Sequence, residues 1–458
     1  MKTLADPDRL LTEGLARIRE RFAVPAEFPP EVLAEAERTK HRAPSEHADW
    51  TGRAFVTLDP ASSTDLDQAF VIEETGADLL LHYALADIGW FVPPDRAMAA
   101  EARKRGVTLY LPDAKARLYP AAPSESAASL LPGGPRPAIV ASVRCAPDGK
   151  VALVGMERAV IRSRAKLAYE TVDMASVPFL QDFAARMSRD EDARGAARVD
   201  PPEQDLKRDD DGHFVLSLRA QRPSELANAT LSLACNIAIA QALHAAKTGM
   251  FREMPAPDER AVRRLRQTAR GLGLAWPDNV PLKDFERSID PRTAAGASFQ
   301  LAVRRAGTGA DYVPYAEGHL PWHDALSSIY THATAPMRRL ADRLVLETAL
   351  ALANGAPVAP PEDFAAMCET MNRADQREGA IERAVIDLAE AAILSGREGE
   401  TFRAIVTERD EKGARLQLVD APVVTRVDTS GVGAGEALFV RLLKADPVRG
   451  EIAFERVR

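Results

Sequence analysis

The chain has 458 residues, 46% of them hydrophobic and 28% charged, with a formal net charge of −8. That balance excludes a disordered or fibrous polymer and a protein that coats nucleic acid by bulk charge, so any polyanion would have to be held locally, by a basic groove and a bound cation. Three scattered cysteines exclude a disulfide framework and a zinc knuckle; the charged start MKTLADPDRLL and the want of a run near the ~18 apolar residues of a membrane helix lead us to expect a cytoplasmic protein of about two to four domains with no membrane partner.

In chain order, Leu10, Leu11, Leu15 and Ile18 recur at helical spacing, and PPEVLAEAE opens with prolines suited to a helix entry. Residues 1–47 therefore predict two or three helices, the size of a small helix-turn-helix. Between 50 and 160, AFVTL, DLLLHYALAD, AIVASVRC and KVALVGMERAVI read as strands. They are interrupted by YLPDAKARLYPAAPSESAASLLPGGPRP, whose prolines forbid long regular elements. SELANATLSLACNIAIAQALHAAKTG is apolar around most of its circumference, which predicts a buried helix, and the chain reads as mostly helical from 160 to 395. After GREGE, the runs TFRAIVTE, ARLQLVD, VVTRVD, ALFVRLLKA and EIAFERV have the cadence of a five-stranded OB-fold barrel. The predicted fold class is α+β.

In AFVTLDPASSTDLDQ, Asp59 projects from the C-terminal end of a strand, a Ser/Thr turn follows, and Asp65 and Asp67 stand two residues apart in extended chain, pointing the same way. Each carboxylate raises the cost of ionising its neighbours. Two readings compete: a solvated turn, or oxygen ligands for a hard cation such as Mg2+, two of which could clamp a phosphodiester. A second motif, YTHATAPMRRLADRLV at 330–345, puts Pro336 in a predicted first helical turn, with Leu340, Leu344 and Val345 as the apolar stripe. Arg338 and Arg339 then fall at the helix N-terminus, where the macrodipole disfavours cations. Either Asp342, four residues after Arg338, or a phosphate at the free N–H groups would compensate.

Together these stretches resemble the two signatures of the RNase II/RNase R family (the RNB catalytic domain), and YALADIGWFV, SRAKLAYETV and LACNIAIA match the same family in order. The resemblance spans residues 48 to 395, and the tail looks like that family's S-one-type OB domain. It implies a helical segment at 1–47, at the RNA entrance, in place of tandem cold-shock domains; an RNB-like body over 48–397; and an RNA-binding OB domain over 398–458. Asp59, Asp65 and Asp67 match three of four clustered aspartates, which implies metal ligation by the trio and a catalytic role for Asp67. Gln68 takes the fourth place as a neutral ligand, so one of two metal sites would be weaker, use water, or borrow Asp87 of LADIGW. Tyr169 in KLAYETV matches a tyrosine that stacks on the 3′-terminal nucleotide, Arg338 an arginine at the scissile phosphate, and Glu382 in AIERAV a glutamate near it; Ala335 replaces a serine.

The implied activity is hydrolytic 3′-to-5′ exoribonuclease action on single-stranded RNA, releasing nucleoside 5′-monophosphates. The implied cofactor is Mg2+, as one or two ions, or Mn2+ in its place, and the expected state is a monomer. The alternatives are an RNA-binding regulator whose metal site has decayed, and a phosphodiesterase for a small nucleotide. Other residues carry paired readings. Tyr169, taken without the resemblance, reads as a core residue. Arg162, Arg164 and Lys166 line either an RNA path or a solvated face, whereas Arg263, Arg264, Arg266 and Arg270 read as exposed helix charge. Phe402 and Phe439 either stack on bases or fill the barrel. His82, His319, His323 and His332 lack metal-ligand spacing and read as structural or solvent-facing.

Overall fold

The computed structural model describes residues 2–4, 9–197, 203–208, 214–219, 221–290, 293–307, 309–410, 413–419, 421, 423–428, 431–433 and 435–457. The β-rich runs of the first third form one seven-stranded sheet. Its strands are β1 (Ala48–Asp49), β2 (Val56–Asp59), β3 (Gln68–Thr75), β4 (Asp78–Ala86), β5 (Arg136–Cys145), β6 (Val151–Ile161) and β7 (Ala165–Ala168), in the order β7-β2-β3-β4-β5-β6-β1. A two-residue turn pairs Thr75 with Asp78, and Gly76 supplies the left-handed φ of 63° that such a hairpin needs. Leu81, Tyr83, Ala84 and Leu85 are all buried, so central strand β4 is covered on both faces. The edge pairing is parallel and sets Ala168 of β7 against Asp59 of β2. That register delivers the Tyr169 N–H to the Asp59 carbonyl at 3.2 Å.

The helices include α1 (Leu10–Arg21), α2 (Pro30–Thr39), α3 (Pro223–Ala245), α4 (Leu340–Ala353) and α5 (Pro361–Leu394). Helix α3 packs on β6 and buries Leu231, Ala234, Cys235, Ala238 and Ile239, as its apolar circumference predicts. By length and composition it could cross a bilayer, contrary to expectation, yet most of its apolar stretch is buried inside the fold. The two predicted N-terminal helices form, but they pack on different partners: α1 on α5, and α2 on the helix Ala97–Arg105. Gly14 makes the first contact close, since a Cβ there would meet Leu388 Cδ1 at 2.5 Å. The pair is thus fastened to the body rather than folded on itself as a helix-turn-helix.

The region expected to be mostly helical also contains strands. Glu203–Arg208 and Phe214–Arg219 form a hairpin whose second strand pairs with Lys2–Leu4, some two hundred residues earlier, and Met250–Glu253 pairs with Asp311–Pro314. No local pattern encodes such distant partners. The tail is as predicted: Thr401–Asp410, Gly413–Leu418, Val424–Val427, Ala437–Asp446 and Glu451–Arg456 form a five-stranded sheet that curls until its outer strands Val424–Val427 and Glu451–Arg456 meet. Register shifts at Val406/Glu408 and Leu442/Lys444 bend the long strands into that barrel. Phe402 is buried edge-to-face against Phe454, so of its two readings the core one holds, whereas Phe439 is 56% exposed.

Candidate active site

Strand β2 ends at Asp59, and Pro60 carries the chain into the Ser/Thr turn. Polar side chains grip the backbone of this turn from both sides. Lys166 Nζ donates to the carbonyls of Ala61 and Ser63, each at 2.6 Å. Ser129 Oγ accepts from Leu66 N at 2.9 Å and donates to the Thr64 carbonyl at 2.7 Å. Leu66 is fully buried, anchoring the chain between Asp65 and Asp67. Lys166 therefore shapes the aspartate turn instead of merely facing solvent, and Arg164 likewise donates to the Thr51 and Gly52 carbonyls.

The arginine motif departs from its predicted helix. Helix α4 begins at Leu340, and 336–338 is a turn. Tertiary bonds hold that turn: Arg338 O accepts from Thr108 N and Leu340 N donates to Gly106 O, both at 2.9 Å. Asp342 is fully buried, accepting from Ala335 N at 2.7 Å and from both Nε and Nη2 of Arg339, at 2.9 and 2.7 Å. The intramolecular Arg–Asp pair thus exists, but it employs Arg339. Arg338, with 46% of its side chain exposed, swings toward the aspartate turn, its Nε 3.8 Å from Asp67 Oδ2. Met337 N donates to Asp67 Oδ1 at 2.7 Å, so two distant motifs close on one carboxylate.

Burial, then the neighbouring Asp67, pushes Asp59 up to about 7 against the pull of Arg338 and Lys166. Asp67 is also raised to about 7, by burial first, with Asp65 and Asp342 adding repulsion that Arg338 and Met337 N only partly offset. Asp65 turns to Lys115, whose Nζ lies 2.5 Å from its Oδ2. Among the described residues no set of three His, Cys, Asp or Glu side chains is already drawn together around one point for a metal. Gln68 is committed elsewhere: its Oε1 accepts from Tyr83 OH and from Ser232 Oγ at 3.3 Å, and its Nε2 donates to the Thr334 carbonyl at 2.5 Å. The amide expected as a metal ligand instead clamps β3 to the arginine motif. Asp87 cannot be borrowed, because it caps the turn after β4, accepting from Trp90 N at 3.2 Å, and pairs with His47 and Arg158.

Tyr169 lies beside Asp59, partly buried, with its hydroxyl accepting from Asn228 Nδ2 at 2.7 Å and its carbonyl from Ser224 Oγ at 2.8 Å. On α5, burial, then Glu382 and Asp375, raise Glu378 to about 7 while Arg338 and Arg339 pull it down. Glu382, chosen from sequence, sits one helical turn further along the same face. The histidines are structural or peripheral, as expected: His82 bonds Ser142, His332 bonds Tyr312, His323 is pushed down to about 4 by burial, and His319 pairs with Glu253 at the surface. Arg263, Arg264 and Arg270 are exposed, and Arg266 covers Trp276.

Sequence reasoning missed Tyr110. It is 54% exposed, yet its hydroxyl is raised by desolvation and by Asp65 and Asp67, with Arg338 opposing, so it lies near the same charged groups. The only local signal was an aromatic residue opening a proline-rich loop.

Residues 48–353 match the RNB domain. The chain belongs to the RNB family. Residues 400–457 of this RNB chain match the RNase II-type exonuclease C-terminal S1 domain. Ribonuclease R of Aquifex aeolicus is 26% identical over 424 residues, 85% of this chain, which spans 59% of that protein's length. Mycoplasma genitalium RNase R, solved in complex with ribose methylated single-stranded RNA, shares the fold with a TM-score of 0.86 at 18% identity, over 98% of this chain and 78% of that one. Yeast Ssd1, a pseudonuclease, shares it with a TM-score of 0.70 at 16% identity, over 92% of this chain and 56% of that one.

Proposed function

We propose that this RNB-family chain hydrolyses single-stranded RNA from its 3′ end, releasing nucleoside 5′-monophosphates with Mg2+ as cofactor. The observation that carries this reading is the convergence of Arg338 and Met337 N on the Asp67 carboxylate. The donor set suits a hard divalent ion: it is all oxygen, and Asp59 and Asp67, both raised to about 7, are carboxylates that the chain leaves short of positive charge. Asp59 and Asp67 would hold the ion. When bound it would supply Lewis-acid charge at the phosphate and acidify a water.

The remaining work falls to the chain's own side chains. Arg338 stands half exposed beside Asp67, outside the Asp342 pair, and would offset charge on the phosphate as the water oxygen bonds to phosphorus and the 3′ oxygen leaves with a proton. The exposed ring of Tyr110 offers a stacking face for a base, and Tyr169, fixed by Asn228, walls the Asp59 side. Incubation of labelled single-stranded RNA with Mg2+ should yield mononucleotides. Asp67→Asn should still bind RNA and cleave it at least ~10³-fold more slowly; wild-type cleavage by that variant would overturn the reading.

A second reading, an RNA-binding regulator, is favoured by Gln68, whose amide is occupied at both ends, and by the likeness to a pseudonuclease. In the same assay its outcome is retained RNA of unchanged length.

A further inference from the structure

The chain itself carries a cation into the aspartate cluster. In the short hairpin Leu109–Leu111/Ala114–Ala116, Tyr110 and Lys115 are cross-strand partners. Lys115 Nζ lies 2.5 Å from Asp65 Oδ2, 3.6 Å from Glu125 Oε1 and 5.3 Å from the Tyr110 ring centre. Glu125 is already bound by Arg117 Nε at 2.6 Å, which leaves the ammonium charge directed at Asp65. Both partners are largely withdrawn from water, with 23% and 18% of their side chains exposed, so water screens this pair less than it would an open surface pair.

Charge balance then limits what the cluster accepts. Gln68 is neutral and bonded at both ends, so three carboxylates remain, and Lys115 neutralises one of them. Asp59 and Asp67 are left; Arg338 draws on both and Lys166 on Asp59, and one divalent ion supplies the rest. A second ion would have to draw on Asp65, which Lys115 already holds.

We propose that Lys115 stands in for a second divalent cation, so that the site takes one metal ion, on Asp59 and Asp67, with the Lys115 ammonium as the fixed second positive centre. This inference rests on the hydrolytic reading of the same site. An ammonium has three N–H donors, so holding Asp65 does not exhaust those of Lys115.

The test counts ions without RNA, by electron paramagnetic resonance of Mn2+ titrated into the full chain. Wild type should bind one Mn2+. Lys115→Met, which frees Asp65, should bind two, and Lys115→Arg, which keeps the charge and guards against a folding artefact, should bind one. Two ions on wild type or on Lys115→Arg, or a single ion on a folded Lys115→Met, would overturn the proposal. Cleavage supplies an independent readout: at low Mg2+ the Lys115→Met rate should fall about 10²-fold and recover as Mg2+ is raised, with a steeper metal dependence than wild type; a loss that Mg2+ leaves unrepaired would also overturn it. Wild type that binds one ion but leaves RNA intact refutes the hydrolytic reading and upholds the ion count, whereas wild type that cleaves RNA while holding two ions refutes the role of Lys115 alone.

Discussion

Asp67 and Asp87 bracket the same β-hairpin, one just before β3 and the other just after β4, and both are buried. Their surroundings differ completely. Asp87 has His47 Nε2 at 3.2 Å, Arg158 Nε at 2.8 Å and Trp90 N at 3.2 Å. Burial alone would raise its pKa, but His47 and Arg158 outweigh that and hold it below the usual value. Asp67 has one backbone N–H, a guanidinium 3.8 Å away and other carboxylates nearby, and it rises to about 7. A buried carboxylate whose partners are all in the chain serves the fold, whereas one left short of positive charge is available to a ligand. Replacing Asp87 with Ala should strand Arg158 and His47 and cost about 3–5 kcal/mol in urea unfolding, with turnover per folded molecule near wild type. Unchanged stability with lost turnover would invert the comparison.

The two neighbouring arginines repeat the contrast at smaller scale. Arg339 is spent on buried Asp342, and Arg338 is half exposed beside Asp67. Arg338→Ala should lower kcat by roughly 10²- to 10³-fold, about 2.7–4 kcal/mol of transition-state stabilisation, with little change in Tm. Arg339→Ala should act the other way round, lowering Tm by leaving Asp342 unpaired. Turnover at the wild-type level in Arg338→Ala would reduce that residue to a partner for Asp67.

What the sequence made legible was whatever its local pattern encodes. The five tail strands, the buried circumference of α3 and the strand that ends at Asp59 all follow from side-chain periodicity and turn residues. The Asp trio and Arg338 stood out as crowded like charges, but residue types alone left a solvated turn and an Arg–Asp pair open, and the family resemblance decided between the readings. Long-range bonds hid the rest. Pro336 looked like a helix start, but Asp67, Gly106 and Thr108 capture residues 337–340, so α4 begins later. Gln68 was read by its place in a motif, whereas its partners Ser232 and Thr334 lie far along the chain. Glu378 and Glu382 share a helical face, and periodicity cannot say that burial raises Glu378 there. Tyr110 and Lys115 were hidden in a loop read as irregular.

The smallest expected effect also separates Asp67 from Asp87 most directly, through pH. In the metal-free fold Asp59 and Asp67, raised to about 7, keep protons that the unfolded chain, with aspartates near 3.9, has already released. Between about pH 4 and 7 the folded state therefore binds more protons, so stability must fall as pH rises through that window and level off above it. Part of the Asp59 shift is the charge of Asp67, so the two contributions do not add independently. Mg2+ should abolish the fall by supplying the missing charge, and Asp67→Asn should remove much of it in EDTA, leaving a variant more stable than wild type at about pH 8. Asp87→Asn should do the opposite, because the lowered pKa of Asp87 stabilises the fold above the unfolded value and is lost only in acid. Thermal melts in EDTA and in Mg2+, read as the difference between wild type and each variant, cancel the background titration of the chain. Parallel curves for wild type and Asp67→Asn would mean that the chain neutralises Asp67 as fully as Asp87, and the physical distinction between the two carboxylates would be gone.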